Sequence, residues 1–179
     1  DDDFNFDEAI KDIETPITQK GDLIELGNHL VLCGDSSSLD DIKLLLGEAK
    51  VNLLHCDPPY RVNYYGGSRP NAKSRPGKHK LWERIYADDL SQEEYEKWLK
   101  AIFSNINLFL AGGASIYIWN GHRQFGPMHS MLTVLGFHIS CVITWAKEQF
   151  AFGYGDYNQK TEFCLYGWKE NNGAHCWYG

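Results

Sequence analysis

No apolar run in the 179 residues approaches the roughly 18 that a membrane-crossing helix needs. The acidic start, Asp1-Asp2-Asp3, is the opposite of a basic secretory or transit leader. A soluble, cytoplasmic protein with no membrane partner is therefore expected. The cysteines (Cys33, Cys56, Cys141, Cys164 and Cys176) are odd in number, form no Cys-x-x-Cys and have no histidine at zinc-finger spacing. A disulfide framework and a structural zinc are thereby disfavoured, and small hydrophobes in a reducing compartment account for these thiols. The histidines show neither His-x-His nor His-Glu-x-x-His. A hydrolytic metal centre on His55, Asp57, His122 and His175 thus lacks its spacing, and no metal ligand is assigned. Basic charge is also short: 17 Lys and Arg against 24 Asp and Glu leave a net charge of −7, which on the sum alone argues against a nucleic-acid partner.

The distribution of charge reverses that argument. Asp1, Asp2, Asp3, Asp7, Glu8, Asp12 and Glu14 face only Lys11 in the first stretch, whereas Arg61, Arg69, Lys73, Arg75, Lys78, Lys80 and Arg84 face only Glu83 in another. Residues 1–20 read as an acidic linker or tail, and residues 21–179 as one domain of ordinary size. Aromatic residues are plentiful and cluster in the last third, which suits a site that stacks flat ligands.

Short apolar strands are expected at Leu23-Ile24 and at residues 30–33, then a helix opened by Asp40-Asp41 and closed by Gly47. Residues 51–56, with Val51, Leu53 and Leu54, read as an apolar run of the kind found in a strand buried on both faces. Residues 61–87, with Gly66-Gly67, Pro70 and Pro76-Gly77, read as a long mobile loop. Ser91 and Glu94 have capping-box spacing ahead of an apolar stripe of Tyr95, Trp98, Leu99, Ile102, Phe103 and Ile106, which Gly112-Gly113 is expected to end. Strands at 114–119, 137–145 and 163–168, with a short helix between the first two, complete an α/β pattern with a largely parallel sheet, in which the last two strands are close enough in sequence to form an antiparallel edge. In such sheets ligands bind beyond the carboxyl ends of the strands.

Asp57-Pro58-Pro59-Tyr60 stands at such an end. It resembles the catalytic motif of DNA adenine-N6 and cytosine-N4 methyltransferases, Asp/Asn/Ser-Pro-Pro-Tyr/Phe after a buried strand. The residue types suit the chemistry. An exocyclic amine conjugated to its ring is a weak nucleophile, so a catalyst must accept hydrogen bonds from its N–H groups; Asp57 offers a carboxylate oxygen and Pro58 a backbone carbonyl. The prolines stiffen the turn and carry no competing N–H, and Tyr60 offers a face for a flipped base. The resemblance implies a Rossmann-like methyltransferase fold and S-adenosylmethionine as methyl donor. Residues 21–35 resemble the leading segment of enzymes in which the catalytic half precedes the cofactor half. There Asp35 matches an acidic position that contacts the cofactor's adenosine, beside Asp57; a turn or capping aspartate is the alternative.

Further resemblance covers residues 144–147 and 157–169, which implies a base pocket containing Trp145, Lys147, Tyr157 and Glu162. The basic island takes the place of the family's DNA-closing loop, so Arg61, Arg69, Lys73, Arg75, Lys78 and Lys80 are implied phosphate contacts on double-stranded DNA. The family's Phe-x-Gly-x-Gly cofactor loop is absent; Gly153-Tyr154-Gly155 lacks the following strand-to-helix turn. The fold is thus expected to be incomplete in this chain, a catalytic part of a longer one, and the piece alone is expected to bind the cofactor weakly or not at all and to be inactive by itself. The resemblance further suggests a phage or prophage restriction-modification context and a ParB-like nuclease domain fused in the parent chain. Oligomeric state is left open. Adenine is favoured over cytosine because Asp rather than Ser leads the tetrapeptide, which also disfavours RNA and protein-glutamine substrates. A catalytically silent DNA-binding or oligomerisation module is the alternative from another class.

Overall fold

The computed structural model describes residues 17–62, 85–151, 156–171 and 175. Contacts divide the chain into two units, residues 1–48 and 49–179. In the first unit β1 (Leu23–Leu26) and β2 (His29–Leu32) form an antiparallel hairpin, its turn using Gly27 at φ 62°. Helix α1 (Leu39–Leu46) follows, N-capped by Ser38, whose side chain accepts from the Asp41 N–H, and ending at Gly47 at φ 55°. The helix expected from Asp40-Asp41 is present, opened one residue earlier.

The second unit is built on β3 (Val51–Cys56), α2 (Gln92–Asn107), β4 (Leu110–Asn120), α3 (Phe125–Val134), β5 (Phe137–Ala151) and β6 (Gln159–Lys169). Its sheet has the order β3-β4-β6-β5. β3 pairs with β4 in parallel, and β6 pairs antiparallel with both β4 and β5. β3, β4 and β5 therefore run the same way. The α/β class holds, with one correction: the antiparallel strand β6 lies inside the sheet, between two co-directional strands, so only one of the three neighbouring pairs is parallel. The sequence could not show this because β5 and β6 are adjacent in the chain, and what inserts β6 is its second partner, β4.

α2 forms where the capping box lies: the Ser91 side chain accepts from the Glu94 N–H and the Glu94 carboxylate accepts from the Ser91 N–H. Tyr95, Leu99, Ile102 and Phe103 lie one above another on a single stripe. With Met128 and Leu132 of α3 they pack on Ala114, Ile116, Ile118 and Leu165. Each fully buried large side chain of this core, such as Phe103 or Leu165, contributes about 2–3 kcal/mol by removal from water. Both helices cover this one sheet face. The alternate residues, among them Tyr117, Trp119, Tyr166 and Trp168, point to the other face.

Gly112-Gly113 belongs to β4 and does not end α2, which stops at Asn107. The Lys169 ammonium holds that helix end, donating to the carbonyls of Asn107 (2.6 Å) and Leu110 (3.0 Å). The register against β3 shifts between Val51 and Leu53, whose partners are Leu110 and Ser115. The two glycines lie in this irregular segment, Gly113 at φ 78°. Among the described residues, no helix is long and apolar enough to cross a membrane.

Gly167 is the position at which β6 tolerates no side chain. A Cβ there would stand 1.9 Å from the His138 carbonyl oxygen and 3.1 Å from Ile139 Cα, both backbone atoms. Gly167→Ala should destabilise the second unit by about 3 kcal/mol or more, because the β5/β6 pair must part. Urea unfolding followed by near-UV circular dichroism measures the loss, and a wild-type midpoint would contradict this register.

Candidate active site

The carboxyl ends of β3, β4 and β5 and the amino end of β6 meet at one end of the sheet. Cys56 pairs with Ile118, Asn120 with Phe163, and Trp145 with Glu162. Asp57-Pro58-Pro59-Tyr60 leaves β3 at this end, with Pro58 buried and Asp57 exposed. Gly121, just past β4, lets the Tyr60 ring lie close: a Cβ at Gly121 would meet Tyr60 Cβ at 3.3 Å.

Within the turn, the Tyr60 hydroxyl donates to Asp57 Oδ1 at 2.6 Å. Burial pushes the Tyr60 phenol well above the ordinary tyrosine range, and the hydrogen bond to Asp57 pushes it further, as do the charges of Asp57 and Glu162. Tyr60 is a neutral donor, not a base. Among the described residues no hydrogen bond occupies Asp57 Oδ2, so that oxygen is left to accept from a ligand. Burial pushes the neighbouring Cys56 thiol up to about 11, with Asp57 adding to it, and burial takes Cys164 up to about 11 as well. Both stay protonated, which argues against thiolate chemistry here. Tyr95 of α2 donates its hydroxyl to the Pro59 carbonyl at 2.5 Å.

The sheet face opposite α2 and α3 supplies an aromatic wall at the same end. Trp119 donates its indole N–H to His55 Nε2 at 2.8 Å, and the two rings meet edge to face. Trp145 meets Trp119 edge to face at 6.2 Å, and Lys147 Nζ lies 5.3 Å from the centre of the Trp145 ring. Lys147 pairs with Glu162. This partly exposed ion pair contributes about 1 kcal/mol or less; its effect is to hold Lys147 beside Trp145.

The structure thus brings Asp57, Pro58, Pro59, Tyr60, Trp145, Lys147 and Glu162 to one end of the sheet. Tyr157 is 93% exposed. Arg61 is engaged by the protein: its Nε donates to the Leu90 carbonyl (2.7 Å) and its Nη1 to Gln92 Oε1 (3.0 Å). Arg69, Lys73, Arg75, Lys78 and Lys80 lie outside the described residues, as does Gly153-Tyr154-Gly155. Asp35 belongs to the other unit. There its Oδ1 accepts from the Ser37 backbone N–H (2.8 Å) and hydroxyl (2.7 Å), which hold the carboxyl below the usual carboxylate range. That is the geometry of a turn aspartate, with the ionised form favoured. Sequence reading missed His55, Tyr95, Trp119 and Gly121. Trp119 carried a signal in retrospect, standing where the second parallel strand ends. Among the described residues no cluster of His, Cys, Asp and Glu could hold a metal ion.

A family model described as DNA methylase, of the N6/N4 type, matches residues 51–175. No curated protein matches the chain. Among solved structures, a candidate DNA modification methylase from Thermus thermophilus is similar at 16% identity and a TM-score of 0.50, over 80% of this chain and 55% of that one. M1.HpyAVI in complex with SAM is similar at 17% identity and 0.47, over 76% and 51%. The cytosine-N4-specific PvuII DNA methyltransferase is similar at 13% and 0.47, over 73% and 46%. The chain spans about half the length of these structures, and the Thermus likeness shows the Rossmann-like fold.

The Tyr60–Asp57 pair can be read directly by titration. The ordinary tyrosine value is 10.0, and the folded value lies above it. The stabilisation is therefore fully present below pH 10.0 and is lost as the pH rises through the folded value. Asp57→Asn removes the charge and should bring the Tyr60 ionisation back down, followed by the 13Cζ resonance through the alkaline range. An unmoved midpoint would contradict the pairing.

Proposed function

The chain belongs to the DNA methylase family, and from that premise we propose that it transfers a methyl group from S-adenosylmethionine to the N6 amine of adenine in double-stranded DNA. The observation that carries this reading is Asp57. It is exposed at the carboxyl end of β3, with Oδ1 held by Tyr60 and Oδ2 unbonded among the described residues, on a turn whose two prolines offer no competing N–H. S-adenosylmethionine supplies an electrophilic methyl on a sulfonium centre. An ionised carboxylate such as Asp35, in the turn that follows β2, suits the hydroxyls of its adenosine part, and Asp35 is our candidate contact.

The chain's own residues do the rest. Asp57 Oδ2 and the Pro58 carbonyl accept the two N–H groups of the amine, drawing its lone pair out of the ring. Tyr60 lies against the flipped base, and its hydroxyl fixes the carboxylate's orientation. The Trp119 and Trp145 rings with the Lys147–Glu162 pair bound the pocket. As the amine is methylated it loses one proton, which Asp57 accepts and passes to the solvent it faces. Arg69, Lys73, Arg75, Lys78 and Lys80 would neutralise backbone phosphates, a contribution that positions DNA without reading its sequence. The preference for adenine rests on Asp leading the tetrapeptide.

The test incubates the full-length protein and its Asp57→Ala variant with unmethylated DNA and S-adenosylmethionine labelled in the methyl group, then digests the DNA to nucleosides. Label in N6-methyladenine is expected, with the variant slower by about 10²–10³-fold. Label in N4-methylcytosine would move the target to cytosine. No transfer from the folded full-length protein over a range of DNA substrates would contradict methyl transfer and favour a silent DNA-binding module.

A further inference from the structure

Pro58 and Pro59 have no N–H, so the turn cannot tie itself down through donors at those positions. Its carbonyls and the residues after it must be held from outside. One segment does this. Tyr95, 1% exposed, donates to the Pro59 carbonyl. Arg61 stands at φ 57°, a conformation unfavourable for a residue with a Cβ, and its two charge-assisted hydrogen bonds to Leu90 and Gln92 offset that strain. The Val62 N–H donates to Oδ1 of buried Asp88 at 3.1 Å. Gln92 exchanges hydrogen bonds with Gln124, at 3.1 and 3.3 Å, and so links this segment to the turn that follows β4. Pro59, Arg61 and Val62 are thus all fastened to residues 88–95.

We propose that Tyr95 is a positioning residue for the methyl transfer, holding through the Pro59 carbonyl the turn that carries Asp57 and Tyr60, with Arg61 as the second anchor of the same turn. The proposal rests on the functional reading above. Burial raises the Tyr95 phenol far above the working range, so it remains a donor throughout, with the charge of Asp88 acting in the same direction. The ring stays in the core whether or not the hydroxyl is present, so removal of the hydroxyl alters the turn without opening a cavity. A turn released at Pro59 misplaces Asp57 relative to the amine, and misplacements of about 1 Å cost on the order of 10²-fold in rate.

The experiment is Tyr95→Phe in the full chain, with the Pro59 carbonyl 13C resonance and the methyl-transfer kinetics measured together. The expected result is a shifted Pro59 resonance and a kcat lowered by about ten-fold or more, with KM for DNA changed less than about three-fold. An unmoved resonance overturns the proposal. So does a moved resonance with wild-type kcat. A wild type that transfers no methyl overturns the functional reading itself, an outcome read before any variant is made. Arg61→Met separates the two roles open to that side chain. As an anchor it should leave the salt dependence of DNA binding unaltered, whereas loss of a phosphate contact would lower the slope of log K against log salt by about 1.

Discussion

The insertion of β6 between β4 and β5 is the constraint from which the rest follows. Antiparallel pairing with β4 on one side and β5 on the other sets the amino end of β6 beside the carboxyl ends of those two strands, so Glu162 arrives opposite Trp145 and Phe163 opposite Asn120. Side chains alternate across a sheet, so a slip of one residue would move each of them to the other face. Leu165 would leave the core it shares with Ile118, and Glu162 would leave Lys147. Gly167 marks the closest approach, where the His138 carbonyl leaves no room for a Cβ. The core and the site therefore depend on one register.

The turn at residues 57–60 divides its polar atoms between two tasks. The Pro59 carbonyl is taken by Tyr95, and Asp57 Oδ1 by Tyr60. Among the described residues Asp57 Oδ2 has no hydrogen-bond partner. An acceptor poised for a weakly nucleophilic amine must already be oriented, because reorganisation during the reaction would cost part of the electrostatic gain. The residues that hold the turn are buried or tied to α2, whereas Asp57 is exposed. Rigid support beneath an open acceptor is what amine activation requires of this geometry.

Much of this was legible in the sequence where local chemistry decides it. The capping box at Ser91 and Glu94 and the stripe from Tyr95 to Phe103 follow from spacing and are present; the strand at Val51–Cys56 is present too, but as an edge strand of the described sheet with Asn52, Leu53 and His55 exposed rather than buried on both faces. What was not legible depends on partners remote in the chain. Gly112-Gly113 reads as a helix stop, yet lies in an irregular segment of β4 that only the pairing with β3 reveals. Arg61 reads as part of a basic island, but the carbonyl of Leu90 and the amide of Gln92, about 30 residues away, claim its guanidinium. Trp119 and His55 look like ordinary strand residues until parallel pairing sets their strands side by side. Tyr95 reads as core and is core, and only its hydroxyl departs from that description.

The central claim is that the sheet end bearing Asp57, Trp119, Trp145 and Glu162 receives the target base. Amide and indole resonances of the 15N-labelled chain, followed as a duplex with an unpaired adenine is added, test it most directly. The account predicts shifts concentrated at residues 57–62, 119–121, 145–147 and 159–162, with the opposite end at His138 and Trp168 unmoved. Shifts confined to that opposite end, or none at saturating duplex, would contradict it.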